Sequence, residues 1–331
     1  MTPPTPPGYR LPLAMYGTLL VAIGLAAYLA GVLLSIPRIL LGLAGLRPLN
    51  EALVWYSGLP VLIGLCCGMF DLIVLLPGKR GRDGVMNVPL LGDRVTVTLT
   101  AYNDEEAIGP SVTEFLAHPR VRRVVVVDNN SIDRTAGNAR AAGAIVVTET
   151  QPGYGRCVFR CLSEGMAYED TSVTVLCEGD MTFRAADLDK FLAYAPHADV
   201  VNGTRIVEQL RETNTQLSTF MYYGNFAVGK LLEIKHLGRG TFTDVGTTYK
   251  LCRNDALRRL LPRVNAGINL EFNAHFLDTA LATGERLVEC PVTFWPRVGL
   301  SKGGNVNDLR AIKVGLKMIR GLVLGWPGRA A

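Results

Sequence analysis

The strongest constraint on this chain is a pair of β-branched runs, each broken off by acidic and turn residues. The first reads VVVVDNNSIDRT over 124–135 and the second VTVLCEGDMTF over 173–183. Continuous apolar runs of this length are the pattern of strands buried on both faces of a parallel sheet. Around them, strands at 94–100, 121–127, 144–148, 172–177 and 198–203 alternate with helices at 105–117, 133–142, 155–168 and 185–195. Such alternation predicts an α/β domain with a mainly parallel sheet covered by helices. Beyond 203 the pattern is less regular: helices are expected at 214–233, 254–261 and 268–284, and a strand near 286–294. No internal repeat is present.

Ligands of open α/β sheets bind just beyond the carboxyl ends of the strands. Asp128 ends one run, and Glu178 and Asp180 end the other. Carboxylates placed there suit a nucleotide and the divalent cation that bridges its phosphates. A nucleotide-sugar site is the reading this supports.

The hydrophobic fraction, 49%, is high for a soluble enzyme, and the excess lies at the N-terminus. Residues 13–36 carry no charge and residues 52–76 carry one, Asp71. At ~1.5 Å rise per residue, each run exceeds the ~30 Å hydrocarbon thickness of a bilayer. Two transmembrane helices are therefore expected. A cleaved signal peptide is the alternative for the first run, but the run is too long, lacks a strongly basic start and is followed by a second. Buried core helices are a further alternative, although helices of soluble folds rarely lack a polar face. Lys79, Arg80 and Arg82 follow the second run, whereas Arg38 and Arg47 stand against Glu51 between the runs and Arg10 alone precedes them. This bias favours a hairpin with both ends, and the rest of the chain, on the cytoplasmic side.

The expected organisation is a disordered Pro-rich leader (1–12), the hairpin (13–76), a basic linker (77–93), the α/β domain (94–304) and a C-terminal helix and tail (305–331). In that last helix Leu309, Ile312, Leu316, Ile319 and Val323 recur at helical spacing beside Arg310, Lys313, Lys317 and Arg320. An amphipathic helix of this kind lies in a membrane interface; packing on the domain with a solvated basic face is the alternative. The seven cysteines form neither a CxxC pair nor a zinc-type cluster with histidine, and reduced, structural roles are expected. The net charge of +5 favours an anionic membrane surface. No RNA-binding motif or long basic tract points to nucleic acid.

Six segments occur in a telling order: TAYNDEEAIGPSV, VVVDNNSIDRT, EGD, VNGTR, FTDVGTTYKLCRNDAL and VTFWPRVGLSKGG. Over roughly 94–320 the chain resembles family 2 glycosyltransferases with the Rossmann-like GT-A fold. Among them it is most similar to dolichyl-phosphate mannose synthase and the polyprenyl-phosphate glycosyltransferases. The resemblance implies inverting, metal-dependent transfer of a sugar from a nucleoside diphosphate to a polyprenyl phosphate at the cytoplasmic membrane face, with Mg²⁺ or Mn²⁺ as cofactor. It places Thr100, Tyr102 and Asp104 against the base and ribose; helix capping is the alternative for Asp104. Asp128 would accept a base N–H, although Asn129 and Asn130 depart from the common DDGS form. Ser131 and Asp133 resemble turn and cap residues. Gly155 and Arg156 would lie near the nucleotide phosphates, a simple turn being the alternative.

Glu178-Gly179-Asp180 matches the DxD metal motif, with Glu where Asp is usual, so Glu178 reaches the cation directly or through water. Thr182 stands where close relatives often have Gln. Arg205, Arg297 and Lys302 match basic residues at the acceptor phosphate and donor diphosphate, work that suits a bidentate guanidinium; a salt bridge is the bland reading of each. Asp244 and Glu271 are further matched positions, Asp244 bordering the sugar or acceptor. An ionised phosphate needs no enzyme base, so Asp244 would orient it; a hydroxyl acceptor would make Asp244 the candidate base. The catalytic set implied is Asp180, Arg205, Asp244, Arg297 and Lys302. His118, His197, His236 and His275 match no motif. Spans placed before the catalytic domain depart from many relatives. Transfer to a hydroxyl of another lipid or glycan is the main alternative. A non-catalytic scaffold is favoured only by Glu178, and processive synthesis is opposed by the lack of QxxRW and of C-terminal channel spans. A homo-oligomer stays open.

Overall fold

The computed structural model describes residues 11–79, 85–92, 94–299 and 308–328. The chain divides into two compact units, an N-terminal helical one and an α/β one.

In the helical unit α1 spans Leu13–Leu40, and α2 (Arg47–Tyr56), α3 (Gly58–Phe70) and α4 (Leu76–Lys79) form the return arm with a π-helical turn at Asp71–Leu75. Both arms run beyond the apolar segments that locate them in the sequence. Leu40 is followed by Gly42 at φ +63°, a left-handed position that ends the helix after Pro37 and Arg38 rather than before them. Gly17, Gly24 and Gly31 recur at heptad spacing on α1. A Cβ on Gly17 would lie 2.5 Å from the Gly64 carbonyl, and one on Gly24 2.6 Å from Val61. Small residues thus let the two arms approach closely, the packing expected where lipid rather than water surrounds the helices. The single charge, Asp71, is fully buried. It accepts two bonds from Lys79 Nζ, at 2.6 and 2.8 Å, and one from the Ala14 N–H at 2.7 Å. It therefore satisfies a donor at the open N-terminus of α1. The outward side chains are apolar, and only 11% of either span's most hydrophobic window is buried. Core helices of a soluble fold would be largely covered, so that alternative does not describe these two.

The α/β unit holds β1 (Val95–Ala101), α5 (Ile108–Ala117), β2 (Val121–Asp128), α6 (Thr135–Ala141), β3 (Ile145–Thr148), α7 (Tyr154–Met166) and β4 (Val173–Glu178). There follow α8 (Leu188–Tyr194), β5 (Val200–Thr204), α9 (Thr219–Lys235), β6 (Lys250–Arg253), α10 (Asn254–Leu260), α11 (Phe272–Thr283), β7 (Leu287–Pro291) and α12 (Asp308–Leu324). The seven strands form one sheet in the order β3-β2-β1-β4-β6-β5-β7. All neighbours pair in parallel except β6, which runs antiparallel to both β4 and β5. The β-branched runs are buried as their composition requires. Successive residues of β4 feed opposite cores: Val173, Val175 and Cys177 pack with α5 and α8, and Leu176 with α7, α10 and α11. The short β6 is absent from the sequence reading, because four residues bounded by Lys250 and Arg253 are too few to show a strand pattern.

All seven cysteines are free, and the five in this unit are buried, as filler residues would be. His275 is a packing residue: it accepts the Asn265 N–H at 2.9 Å and lies against Trp326. The helix α12 docks through Val314, Met318 and Leu322 while Leu309, Ile312, Leu316 and Ile319 remain exposed. It thus presents two apolar stripes where one was read, one packed on the domain and one left open.

Candidate active site

The strand register builds the site. Ala101 lies opposite Asp128, and Thr100 opposite Glu178, so the carboxyl ends of β2, β1 and β4 stop at one level. The chain steps from β1 outward to β2 and β3, then returns to place β4 on the other side of β1. This reversal opens a crevice at the strand ends. A cleft of about 630 Å³ lies there. Its floor carries Thr100, Tyr102, Asp104, Glu178, Asp180, Arg205 and Arg297; one wall is apolar, with Phe220, Met221 and Val228 from α9 and Ile312, Leu316 and Ile319 from α12.

Arg297 ties the floor together. Its Nη1 donates to Asp180 Oδ2 at 2.6 Å and its Nη2 to Asp104 Oδ1 at 2.5 Å. Burial opposes the guanidinium charge, but Asp180 and Asp104 outweigh it and raise the pKa further. Backbone bonds dock the arginine's loop on the acidic turn, from Val298 N–H to Asp180 O at 3.1 Å and from Trp295 N–H to Thr182 O at 3.0 Å. The turn itself is an Asx turn, with Asp180 Oδ1 accepting Thr182 N–H and Oγ–H at 3.0 and 2.6 Å and Met181 at φ +67°. Asp104 accepts the Tyr102 N–H at 3.0 Å, whereas the N-cap position of α5 is Ala107. Ser131 and Asp133 are turn residues, bonding Asn103 N–H and Thr135 N–H at 2.8 and 2.9 Å.

Arg205 is held by Asp244. The Asp244 carboxylate accepts Arg205 Nε and N–H at Oδ2 (2.7 and 3.1 Å), and Arg205 Nη2 and Gly246 N–H at Oδ1 (both 2.9 Å). Burial works against this carboxylate, yet the charge and hydrogen bonds of Arg205 prevail and hold it below its ordinary range. Asp244 is fully buried and does not line the cleft; Arg205 does. Behind them Glu289 accepts Thr243 N–H at 2.8 Å and Asp244 N–H at 3.1 Å, fixing the backbone that carries the pair.

At the end of β2 Asp128 is buried and does not line the cleft, and its Oδ1 has no hydrogen-bond partner among the described residues. Asn129 donates to Glu149 O and Gln151 O at 3.1 and 2.9 Å and accepts Gly153 N–H at 3.0 Å, so it fastens the 149–153 loop. Gly155 and Arg156 do not line the cleft. Gly155 is required elsewhere: a Cβ there would sit 1.7 Å from Ile268 O. Gly179 also stands off the cleft, its N–H extending the β1 ladder to Thr100 O at 3.0 Å and its Cα facing Ile108. Glu271 precedes α11 without lining the cleft, while its neighbours Asn269 and Leu270 do. Lys302 lies outside the described residues.

Glu178 is half-buried, and its Oε1 accepts the Thr248 hydroxyl at 2.7 Å. Burial, then the neighbouring Asp180, push its pKa up to about 7. Thr248 is bonded in turn to the Tyr154 phenol, which receives Asn273 Nδ2 at 2.8 Å. Burial, then Glu178, raise the pKa of that phenol. Tyr154, Thr248, Asn273 and Glu289 have no role in the sequence reading, and Asn129 enters it only as a departure from the DDGS form. Tyr154, Thr248 and Asn129 were within reach, since they lie inside segments that carry the resemblance or its Gly-rich loop. Asn273 carries no local signal.

The donor set suits a hard divalent cation: the cleft carboxylates offer only oxygen, and a cationic guanidinium already lies between two of them. Among the described residues no group of three His, Cys, Asp or Glu side chains is arranged to hold a metal alone. A cation here would complete its shell with ligand phosphates and water.

Residues 96–261 match the family described as Glycosyl transferase family 2. An uncharacterized glycosyltransferase of Mycobacterium tuberculosis is 33% identical over 212 residues, 63% of this chain and 89% of that protein. A dolichyl-phosphate hexose transferase of Haloferax volcanii is 29% identical over 231 residues, 68% of this chain and 95% of that one. The fold is similar to that of glucosyl-3-phosphoglycerate synthase from Mycobacterium tuberculosis, solved with Mn²⁺ and uridine-diphosphate-glucose. That likeness has a TM-score of 0.50 at 17% identity, covering 71% of this chain and 79% of that one.

Proposed function

The chain belongs to glycosyltransferase family 2, and from that premise we propose that it transfers a sugar from a nucleoside-diphosphate sugar to a polyprenyl phosphate, with inversion. The observation that carries this reading is the cleft itself, whose carboxylate and arginine floor continues into the apolar wall of α9 and α12. An acceptor with an anionic head and a long apolar tail matches both parts. The likeness to a dolichyl-phosphate hexose transferase supports the same acceptor class. So does the N-terminal hairpin, which would keep the enzyme beside a lipid that cannot leave the bilayer.

In this reading the unpaired Oδ1 of Asp128 accepts a base N–H, and exposed Tyr102 offers a ring face. Asp180 and Glu178 would hold Mg²⁺ or Mn²⁺, which would supply positive charge against that developing on the departing diphosphate. Arg297 gives up Asp104 and Asp180 as the donor enters and turns its fork to phosphate oxygens. Arg205, oriented by Asp244, keeps Nη1 free of the described residues for the acceptor phosphate. A phosphate oxygen then attacks the anomeric carbon as the bond to the nucleoside diphosphate breaks. No proton needs removal, since the acceptor is already ionised. A hydroxyl acceptor would need a base, and Asp244 is buried and engaged with Arg205.

The domain limits we propose are a leader 1–12, a hairpin 13–76 whose return arm stays helical to Lys79, a linker to 93, a catalytic domain 94–304 and a C-terminal segment 305–331. The exposed stripe of α12 would rest in the interface, with Arg310, Lys313, Lys317 and Arg320 meeting headgroups. We place the catalytic domain on the cytoplasmic side, although the pairing of Lys79 with Asp71 leaves Arg80 and Arg82 to carry the basic bias. Metal dependence is tested by Mn²⁺-stimulated hydrolysis or transfer with a panel of nucleotide sugars. Asp180→Asn should abolish the stimulation; full retention would refute the assignment.

A further inference from the structure

Four side chains behind Glu178 form a hydrogen-bonded chain whose direction is fixed at its far end. Lys250 is buried on β6 and donates to Asn273 Oδ1 at 3.3 Å and to Thr247 O. The Gly246 carbonyl only accepts, so it sets which end of the Asn273 amide faces Lys250. The Nδ2 end therefore points the other way, to Gly246 O at 3.1 Å and Tyr154 Oη at 2.8 Å. With its oxygen accepting from Asn273, the Tyr154 phenol donates to Thr248 Oγ1, and Thr248 has its own proton for Glu178 Oε1, 2.7 Å away. These residues come from α7, β4, β6, α11 and the loop before β6.

We propose that Thr248 and Tyr154 are positioning residues for Glu178, delivering one hydroxyl donor to Oε1 so that Oε2 is presented to the donor's cation. Among the described residues Oε2 makes no hydrogen bond, and Glu178 lines the cleft. Glutamate has one more rotatable bond than the aspartate usual in the DxD motif. A carboxylate of that length loses more side-chain freedom on binding a cation, and partners that hold a ligand in place are commonly worth about 10–100-fold in metal affinity. The Thr248 bond thus explains how a Glu can serve at this position.

The inference rests on the metal reading above, and its test separates the two. Mn²⁺ alone is titrated against detergent-purified enzyme, and the loss of its free-ion paramagnetic resonance signal is followed. Thr248→Val, which keeps shape and removes the donor, should weaken Mn²⁺ about tenfold. Thr248→Ser should restore affinity to within about threefold, and Tyr154→Phe should fall between. Glu178→Asp, too short to reach Thr248, should bind no better than Thr248→Val. Unchanged affinity in Thr248→Val, or equal losses in the Val and Ser variants, would overturn the relay. Wild-type affinity in Glu178→Gln alongside a loss in Asp180→Asn would overturn it and leave the metal reading standing. A wild-type enzyme that takes up no Mn²⁺ would overturn both.

Discussion

The Arg297 guanidinium donates to Asp180 at 2.6 Å, with its second nitrogen on Asp104. Arg297 thus occupies ground between two carboxylates, one of them the proposed metal ligand. In the proposed function a cation and this arginine compete for Asp180, and the arginine then turns to a phosphate.

Arg297→Gln should therefore bind Mn²⁺ alone more tightly than wild type, because the competing cation is gone. Turnover should nonetheless fall by about 10²–10³, the usual loss on removing a group that stabilises developing charge. Calorimetry and initial rates check the two halves. Weaker Mn²⁺ binding in this variant would contradict the competition.

Asp244→Asn leaves Arg205 buried without its counter-charge, and breaking such a pair costs about 3–5 kcal/mol. The pH dependence has a definite sign. The folded-state pKa of Asp244 is depressed, so its contribution is present above the unfolded value of about 3.9 and is lost as pH falls through the folded one. The melting temperatures of wild type and Asp244→Asn should converge below pH ~4. A constant gap would contradict the assignment.

Lys250 gives the opposite case. Burial lowers its folded pKa to about 7. Between that value and the unfolded value of about 10.4 the unfolded chain binds the extra proton, so this group's contribution to stability rises with pH. Lys250→Met should thus outmelt wild type most at pH ~6.5, with the gap narrowing by up to about 1.4 kcal/mol per unit toward pH ~9. Comparing the two cancels the buried tyrosines and cysteines that titrate in the same range. A gap that widens with pH would contradict the assignment.

Gly17→Val should loosen the hairpin, since its Cβ would meet Gly64 O at 2.5 Å. The melting temperature of the detergent-purified protein should fall in this variant and not in Gly68→Val, where a Cβ meets nothing within 4 Å. Equal melting temperatures in the two variants would show that the glycine contact does not set the packing.

The parallel half of the sheet was legible because Val124–Val127 and Val173–Cys177 are continuous buried runs with abrupt acidic ends, and because buried strands must look like that. The carboxylates were legible because strand ends are where function collects. What sequence did not disclose was pairing at a distance. Arg297 and Asp104 are separated by 193 residues and Asn273 and Tyr154 by 119, and no periodicity reports such contacts. Gly155 was misjudged for a related reason: a glycine that admits a ligand and one that admits Ile268 O look alike in one dimension. The second stripe of α12 was hidden because Val314, Met318 and Leu322 were not separated from the exposed set by spacing alone.

The most direct test is to incubate purified enzyme with Mn²⁺, polyprenyl phosphate and a panel of labelled nucleotide sugars, and to analyse the lipid phase. At least one donor should yield a lipid-linked monosaccharide phosphate of inverted anomeric configuration, with none formed by Asp180→Asn. Label appearing only on a hydroxyl acceptor, or retention of configuration, would contradict the proposed reaction.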